Sequence, residues 1–378
     1  MTGRHFSSRG WCSPERYVQG PGEFDRIRFY TDKFGRRIAF FIDQFFYDAF
    51  KVKLEKEYSE GDYTLQFYRF DSEVTNALIR SLADELQPMS PDVVVGIGGG
   101  KTIDVAKGVA VCIGTRFIIV PTAASTDAPT SSLSVIYRED GSHAGEFFYD
   151  HSPSLLVVDS EIIAHAPVRF LVSGMGDALA TLIEADATRE ANVKNLVYNR
   201  DGGFAQTLAG QAIARACYES LMRFGPMAKI ACENNVVTPA LENIIETNIL
   251  LSGLGFENNA TAGAHSVNDG LTAIPGGEKT MHGEKVAFGC IVQLIAENAP
   301  AEKLAEVTDF CLAVGLPVCF ADLGIENSDA LMRKVAEASM HSCWGNMPFE
   351  VDVETVFAAI KTADRYGSAR KVQARLGK

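Results

Sequence analysis

Asp92-Val-Val-Val95, then Gly96-Ile-Gly-Gly-Gly-Lys-Thr-Ile-Asp104, then Val105-Ala-Lys-Gly-Val-Ala110 is the stretch that decides how this chain is read. Val93–Val95 is apolar and β-branched, as a buried strand is. The residues from Ile103 onward read as a helix. A strand, a glycine loop and a helix start form the layout that binds a phosphate. Glycines let backbone N–H groups approach an anion, and the helix N-terminus adds unsatisfied donors and a partial positive charge. The plain alternative is a tight turn with no ligand. The loop is not a P-loop, because Val95 stands where that motif needs its first glycine. Nor is it the G-x-G-x-x-G fingerprint in its usual place, which opens the first βα unit and has an acid about 20 residues later.

Working outward, Arg37-Arg-Ile-Ala-Phe-Phe-Ile42 reads as a strand that ends at Asp43. An acid there suits a ribose diol and repels an added phosphate, which favours NAD over NADP. Residues 63–70 alternate in polarity like a strand. Val74, Leu78, Leu82 and Leu86 repeat like one face of a helix that stops before Pro88. Beyond the loop, Arg116–Val120 is a strand broken by Pro121. The polar loop after it carries the hydroxyls of Thr122 and Ser125, where open α/β sheets bind ligands. Leu133–Tyr137 and Glu146–Tyr149 flank Glu139-Asp-Gly-Ser142, a hairpin signal, and Leu155–Val158 closes this half. Alternating strands and helices argue for a mostly parallel sheet covered by helices. After Pro167 helical patterns dominate, as in Leu304, Val307, Cys311 and Val314 before Gly315, and in Val356–Tyr366. The expectation is an α/β protein: a Rossmann-like dinucleotide-binding domain over 1–167, with 1–14 a loose leader, and an all-helical domain over 168–378.

The 378 residues, 47% apolar and 22% charged, suit one large or two ordinary globular domains. A formal net charge of −13 argues against nucleic acid or an anionic membrane as partner. The eight cysteines include no C-x-x-C pair and read as reduced, mostly buried small hydrophobes. The N-terminal residues form no secretory apolar region and no run is long enough to span a bilayer, so a cytoplasmic location is expected.

Among seven histidines, two lie in small-residue contexts of the second half: Ala262-Gly-Ala-His265 and Met281-His282-Gly. Asp177 sits in a similar setting, Gly174-Met-Gly-Asp177-Ala-Leu-Ala180. Small neighbours leave room for a ligand beside each side chain. Two imidazoles and a carboxylate would bind a divalent metal and keep one coordination position open. Hydrogen-bonded structural histidines are the alternative, and the long spacing alone cannot bring the three together. His143, His151 and His165 read as surface or structural residues, and Glu284 with Lys285 as a solvated helix pair.

Taken in order, Gly98-Gly-Gly-Lys-Thr102, Pro121-Thr-Ala-Ala-Ser-Thr-Asp-Ala-Pro129, Gly176-Asp-Ala-Leu-Ala180, Gly270-Leu-Thr-Ala-Ile-Pro275 and His282-Gly-Glu-Lys-Val-Ala-Phe-Gly289 form a specific set. From about Ser13 onward the chain resembles the glycerol dehydrogenases of the metal-dependent (iron-type) alcohol dehydrogenase superfamily. The resemblance implies a dehydroquinate synthase-like architecture with an active site in the cleft between the two domains. It implies one zinc ion per subunit on Asp177, His265 and His282, with iron or another divalent ion an alternative. It implies NAD contacts from Asp43, Gly98, Gly99, Gly100, Lys101, Thr102, Thr122, Ala123, Ala124, Ser125, Ser131, Leu133 and Tyr137. Asp127 would contact the polyol, with capping of the next turn as its alternative role. The activity implied is oxidation of glycerol at its secondary hydroxyl to dihydroxyacetone. Zinc would activate the alcohol and hydride would pass to the nicotinamide. The assembly implied is a homo-oligomer, commonly an octamer.

Two positions depart from that pattern. Asn268 stands where close relatives often carry a second histidine, and Gly345 precedes Asn346-Met-Pro348 where relatives often show histidine. Both bear on substrate preference. Rival readings are a dehydrogenase or reductase for another small diol or hydroxyaldehyde, and a catalytically silent NAD-binding sensor. Relatives acting on phosphorylated substrates share the architecture, but no basic cluster lies beside the metal motifs.

Overall fold

A computed structural model describes residues 8–139, 141 and 143–377. Residue contacts divide it into two units. The α/β unit comprises Cys12–Pro167 with Ala231–Thr238, and the helical unit comprises Val168–Ile230 and Pro239 onward, together with the described residues up to Trp11.

In chain order the strands are β1 (Tyr17–Gly20), β2 (Arg37–Asp43), β3 (Thr64–Phe70), β4 (Val93–Gly98), β5 (Arg116–Pro121), β6 (Leu133–Tyr137), β7 (His143–Phe148) and β8 (Leu155–Asp159). The α/β unit also carries helices α1 (Ile27–Thr31), α2 (Tyr47–Glu57), α3 (Asn76–Leu86), α4 (Gly100–Cys112) and α5 (Ser160–Ala164). Six strands form one parallel sheet in the order β1-β8-β5-β4-β2-β3, and β6 pairs with β7 as a separate antiparallel hairpin. Every residue of β4 and β8 is buried, which is why these strands read as unbroken apolar runs rather than alternating ones.

Three local readings change. β1 was not foreseen: Tyr17–Gly20 pairs in parallel with Leu156–Asp159 at the sheet edge. In α3 the buried face is Ile79, Ala83 and Leu86, one position on from Leu78 and Leu82, and the Thr75 hydroxyl caps its start by accepting from the Leu78 N–H. The hairpin's second strand begins at His143, while Asp140 and Ser142 of its turn lie outside the described residues.

The helical unit is built from α6 (Val168–Glu190), α7 (Leu208–Glu233), α8 (Pro239–Glu246), α9 (Ser252–Asn259), α10 (Gly263–Thr272), α11 (His282–Ala296), α12 (Ala301–Val314), α13 (Asp329–Ser339) and α14 (Val353–Arg375). The last residues of α7 fall in the α/β unit. The expected loose leader divides at the described boundary: residues 1–7 lie outside it, whereas Ser8–Gly10 is fixed to the helical unit. The Ala205 N–H donates to the Ser8 carbonyl at 2.9 Å, and the Asn195 side chain donates to the Gly10 carbonyl at 2.9 Å.

α6 is the axis of this unit, buried without a break from Leu171 to Ala185. The small residues around the three predicted metal ligands are used for helix contact. A Cβ on Gly283 of α11 would lie 1.8 Å from the Ser173 carbonyl oxygen, and one on Gly176 of α6 would lie 2.2 Å from the Gly283 carbonyl oxygen. A Cβ on Gly289 would lie 2.3 Å from the Ala264 carbonyl oxygen of α10. Backbone therefore meets backbone at both crossings of α11, and the expected room beside the ligands is filled by neighbouring helices. Gly283→Ala must push α6 and α11 apart. Overpacking of this kind costs about 1–3 kcal/mol, so the variant should unfold at a lower temperature in a calorimetric scan. An unchanged melting temperature would show that the crossing has slack.

Candidate functional site

In the α/β unit, Asp43 ends β2 and Gly98 ends β4, and Ile42 pairs with Ile97 immediately before them. The strand order reverses at this pair: β3 lies on one side, and β5, β8 and β1 on the other. Ligands of open α/β sheets bind at such a reversal. A Cβ on Gly98 would meet the Cβ atoms of Thr102 at 2.8 Å and Asp43 at 2.9 Å, so only glycine lets these three close up. The Thr102 hydroxyl donates to Asp43 Oδ2 at 3.4 Å, and Asp43 Oδ1 accepts from the Phe45 N–H at 3.0 Å. No side chain caps the start of α4 at Gly99, and a Cβ on Gly99 would meet nothing within 4 Å. Open space before uncapped helix N–H groups is a cradle that fits a pyrophosphate. The Lys101 ammonium turns aside to Glu73 at 2.5 Å and sits 5.2 Å from the Tyr137 ring.

The second predicted loop is held from below. The Thr122 N–H donates to the Gly98 carbonyl at 3.1 Å; Thr122 and Ala124 are buried, and Ala123 and Ser125 half-buried. Lys107 of α4, which sequence reasoning passed over, is completely buried. Its ammonium donates to the Ala128 carbonyl at 2.6 Å, the Leu133 carbonyl at 2.8 Å and the Ser131 hydroxyl at 3.3 Å, and lies 3.4 Å from Asp104 Oδ1. Burial pushes the Asp104 carboxyl up, against the pull of Lys107 and the Val135 N–H. Ser131 also bonds the Ala128 carbonyl, so its hydroxyl belongs to this buried support. Half-buried Asp127 accepts from the Thr130 N–H through its carbonyl at 3.3 Å, a turn contact. The Tyr137 hydroxyl is pushed up to about 12, chiefly by burial.

In the helical unit the structure brings Asp177, His265 and His282 together. One donor atom from each lies within 4.8 Å of the others. Asp177 Oδ1 is 3.1 Å from His282 Nε2 and 3.6 Å from His265 Nε2, and the two rings are 5.5 Å apart. Asp177 is 1% exposed, whereas the His282 side chain is 39% exposed. Two imidazole Nε2 atoms aimed at one carboxylate oxygen form a donor set of the kind a divalent metal takes, with one side reachable from solvent.

Residues 14–160 match the model of the iron-containing alcohol dehydrogenase family. A glycerol dehydrogenase of Thermotoga maritima is 42% identical over 371 residues, covering 95% of this chain and 97% of the relative. The chain belongs to the iron-containing alcohol dehydrogenase family. The crystal structure of glycerol dehydrogenase from Schizosaccharomyces pombe superposes with a TM-score of 0.89 at 36% identity, covering 98% of this chain and 94% of that one. A glycolaldehyde reductase of Halobacterium salinarum is 37% identical, covering 94% of this chain and 97% of the relative. The protein is thus an oxidoreductase of the alcohol dehydrogenase kind, and Asp177, His265 and His282 form a group able to hold a metal ion. No described helix is long and apolar enough to cross a membrane.

In this family member, one neighbour of the cluster, Glu184, escaped sequence reasoning, and Lys285 differs from its expected role. Glu184 accepts from His265 Nδ1 at 2.7 Å, and Lys285 is a buried strut. Lys285 donates to the Thr272 hydroxyl at 2.7 Å and the Gly277 carbonyl at 3.3 Å, and burial pulls its ammonium down to about 8. The expected solvated pair with Glu284 is therefore incorrect. Glu284 instead binds Arg169 at 2.7 Å and caps α11 through the Met281 N–H at 2.9 Å. Seven-residue spacing from Asp177 was the available signal for Glu184. His143, His151 and His165 are all exposed, with His165 Nδ1 on the Glu161 carbonyl, while His5 lies outside the described residues.

Burial alone would raise the Asp177 carboxyl, but the charges of His282 and then His265 hold it well below its usual value. Burial opposes protonation of His265, yet Glu184 and Asp177 lift it well above 6.5. Its raised value makes this pairing fully stabilising below pH 6.5 and lets it fade as pH rises through that value. Metal binding has the opposite sign, because Nε2 binds a metal only after losing its proton. Zinc affinity measured by chelator competition should therefore fall steadily from about pH 8 to about pH 6. A flat profile over that interval would contradict the assignment of His265 as a ligand.

Proposed function

We propose that this chain oxidises glycerol at its secondary hydroxyl to dihydroxyacetone, with NAD as hydride acceptor and zinc on Asp177, His265 and His282. The convergence of those three side chains carries the reading, and likeness to glycerol dehydrogenases over nearly the whole chain supports the substrate. A divalent metal held there supplies Lewis acidity that lowers the pKa of an alcohol hydroxyl. The chain's own groups do the rest. Asp43 accepts from the ribose diol, and the N–H groups opening α4 at Gly99–Thr102 hold the pyrophosphate. Thr122–Ser125 with Ser131, Leu133 and Tyr137 line the cofactor, and Asp127 orients a free hydroxyl of the polyol. Oxidation releases two electrons with the hydride and one proton to water, so no strong protein base is needed. The reading includes a cofactor domain over 1–167 and a metal domain over 168–378. It also includes a cytoplasmic location and a homo-oligomer, an octamer by resemblance.

A second reading is reduction of a hydroxyaldehyde or oxidation of another diol. Asn268, one turn beyond His265, has a buried Oδ1 that finds no hydrogen-bond partner among the described residues. A histidine there would present a different donor, so substrate preference can diverge at this position.

The test measures NAD reduction on glycerol, 1,2-propanediol and glycerol phosphate, and NADH oxidation on glycolaldehyde, with and without a chelator. Glycerol should give the highest kcat/KM of the alcohols, and zinc should restore activity after chelation. Faster turnover of glycolaldehyde would favour the second reading, and bound NAD with no turnover would favour a sensor. Asp43→Ala should raise the Kd for NAD roughly tenfold to a hundredfold, the loss of charged hydrogen bonds worth about 1.5–3 kcal/mol, while leaving zinc content unchanged. Unaltered NAD affinity would remove Asp43 from the cofactor site.

A further inference from the structure

Glu184, 1% exposed on α6 two helical turns after Asp177, touches the cluster at His265. Its two oxygens do different things. Oε1 accepts from the backbone N–H groups of Ala262 and His265, each at 2.9 Å. These groups open α10, whose N-cap is Ala262, a residue with no side chain able to cap. The Ala264 N–H of the same turn donates to Gln293 Oε1 at 2.8 Å. Oε1 is therefore a helix cap supplied from another helix. Oε2 takes no part in capping and lies 2.7 Å from His265 Nδ1.

We propose that Glu184 is a positioning residue that sets the tautomer and ring plane of His265, so that Nε2 faces Asp177 with its lone pair free for the metal. The proposal rests on the reading that Asp177, His265 and His282 hold a metal. A carboxylate oxygen only accepts, so Nδ1 is the nitrogen that keeps its proton, and the neutral ring has Nε2 unprotonated. The same carboxylate ties the backbone N–H of His265, which fixes the ring at its root as well as at its edge. α6 thereby supplies both a ligand, Asp177, and the group that aims another ligand.

The separate tasks of the two oxygens make the role testable. In Glu184→Gln the amide oxygen keeps the two backbone donors, because the reverse orientation would set an NH2 against two N–H groups. The amide NH2 then faces His265 Nδ1, which must accept, and the proton moves to Nε2 where it blocks the metal. A residue that only caps α10 would be replaced by Gln without effect on metal.

The experiment compares the full-length parent, Glu184→Gln and Glu184→Asp for Zn2+ dissociation constant by chelator competition. Circular dichroism melting and the 15N shifts of the His265 ring are recorded on the same samples. Glu184→Gln should melt near the parent, bind Zn2+ about 10- to 100-fold more weakly, and show His265 as the Nε2–H tautomer. Glu184→Asp, which keeps the acceptor, should recover part of the affinity. Equal Zn2+ affinity in Glu184→Gln and parent overturns the role of Glu184 while leaving the metal reading intact. A parent chain that binds no Zn2+ overturns both.

Discussion

Backbone contact between α6 and α11 governs the helical unit. Ser173 and Gly176 on one helix meet Gly283 on the other so closely that no side-chain carbon fits between them. Asp177 and His282 each adjoin a glycine of that contact. Their 3.1 Å separation is set by helix crossing and not by a flexible side chain reaching out. A second contact of the same kind, Gly289 against Ala264, seats α10 and with it His265. Three donors from distant parts of the sequence are thereby fixed by two crossings of one helix. Such a cluster is ordered by packing, and little rotamer freedom remains to be lost when an ion is taken up.

The α/β unit applies the same economy to its own loop. Glycine at 98 lets β2, β4 and α4 close around Asp43 and Thr102, while Gly99 leaves the helix start bare. Beneath the following loop, a buried ammonium donates to two carbonyls and a hydroxyl. Lys107 thus acts as a polar staple, joining α4 to the loop that carries Thr122–Ser131.

Much of this was legible in the sequence, and for stated reasons. Buried parallel strands announce themselves as apolar runs, so β2, β4, β5 and β8 stood out, and the glycine loop followed from its position after one of them. β1 did not, because four half-buried residues at a sheet edge carry little pattern. On α3 Leu86 is buried as read, but Leu78 and Leu82 lie one position from the buried Ile79 and Ala83, and the pattern misleads there because they are as apolar as the residues inside. The individual residues Asp177, His265 and His282 could be singled out, but their convergence depends on helix crossings that no local period encodes. Glu184 and Lys107 were missed, and Lys285 was taken for a solvated residue, because charged side chains are expected at the surface. Only the three-dimensional count of donors and acceptors shows why these are inside.

Asp177 and Glu184 share one face of α6 because seven residues complete almost two turns. Adding or removing a single residue between them would rotate one against the other by about 100°. The carboxylate would then leave His265, and the start of α10 would lose its cap, although every residue named in the site was still present. In this stretch the length of the chain is as much a part of the metal cluster as its chemistry.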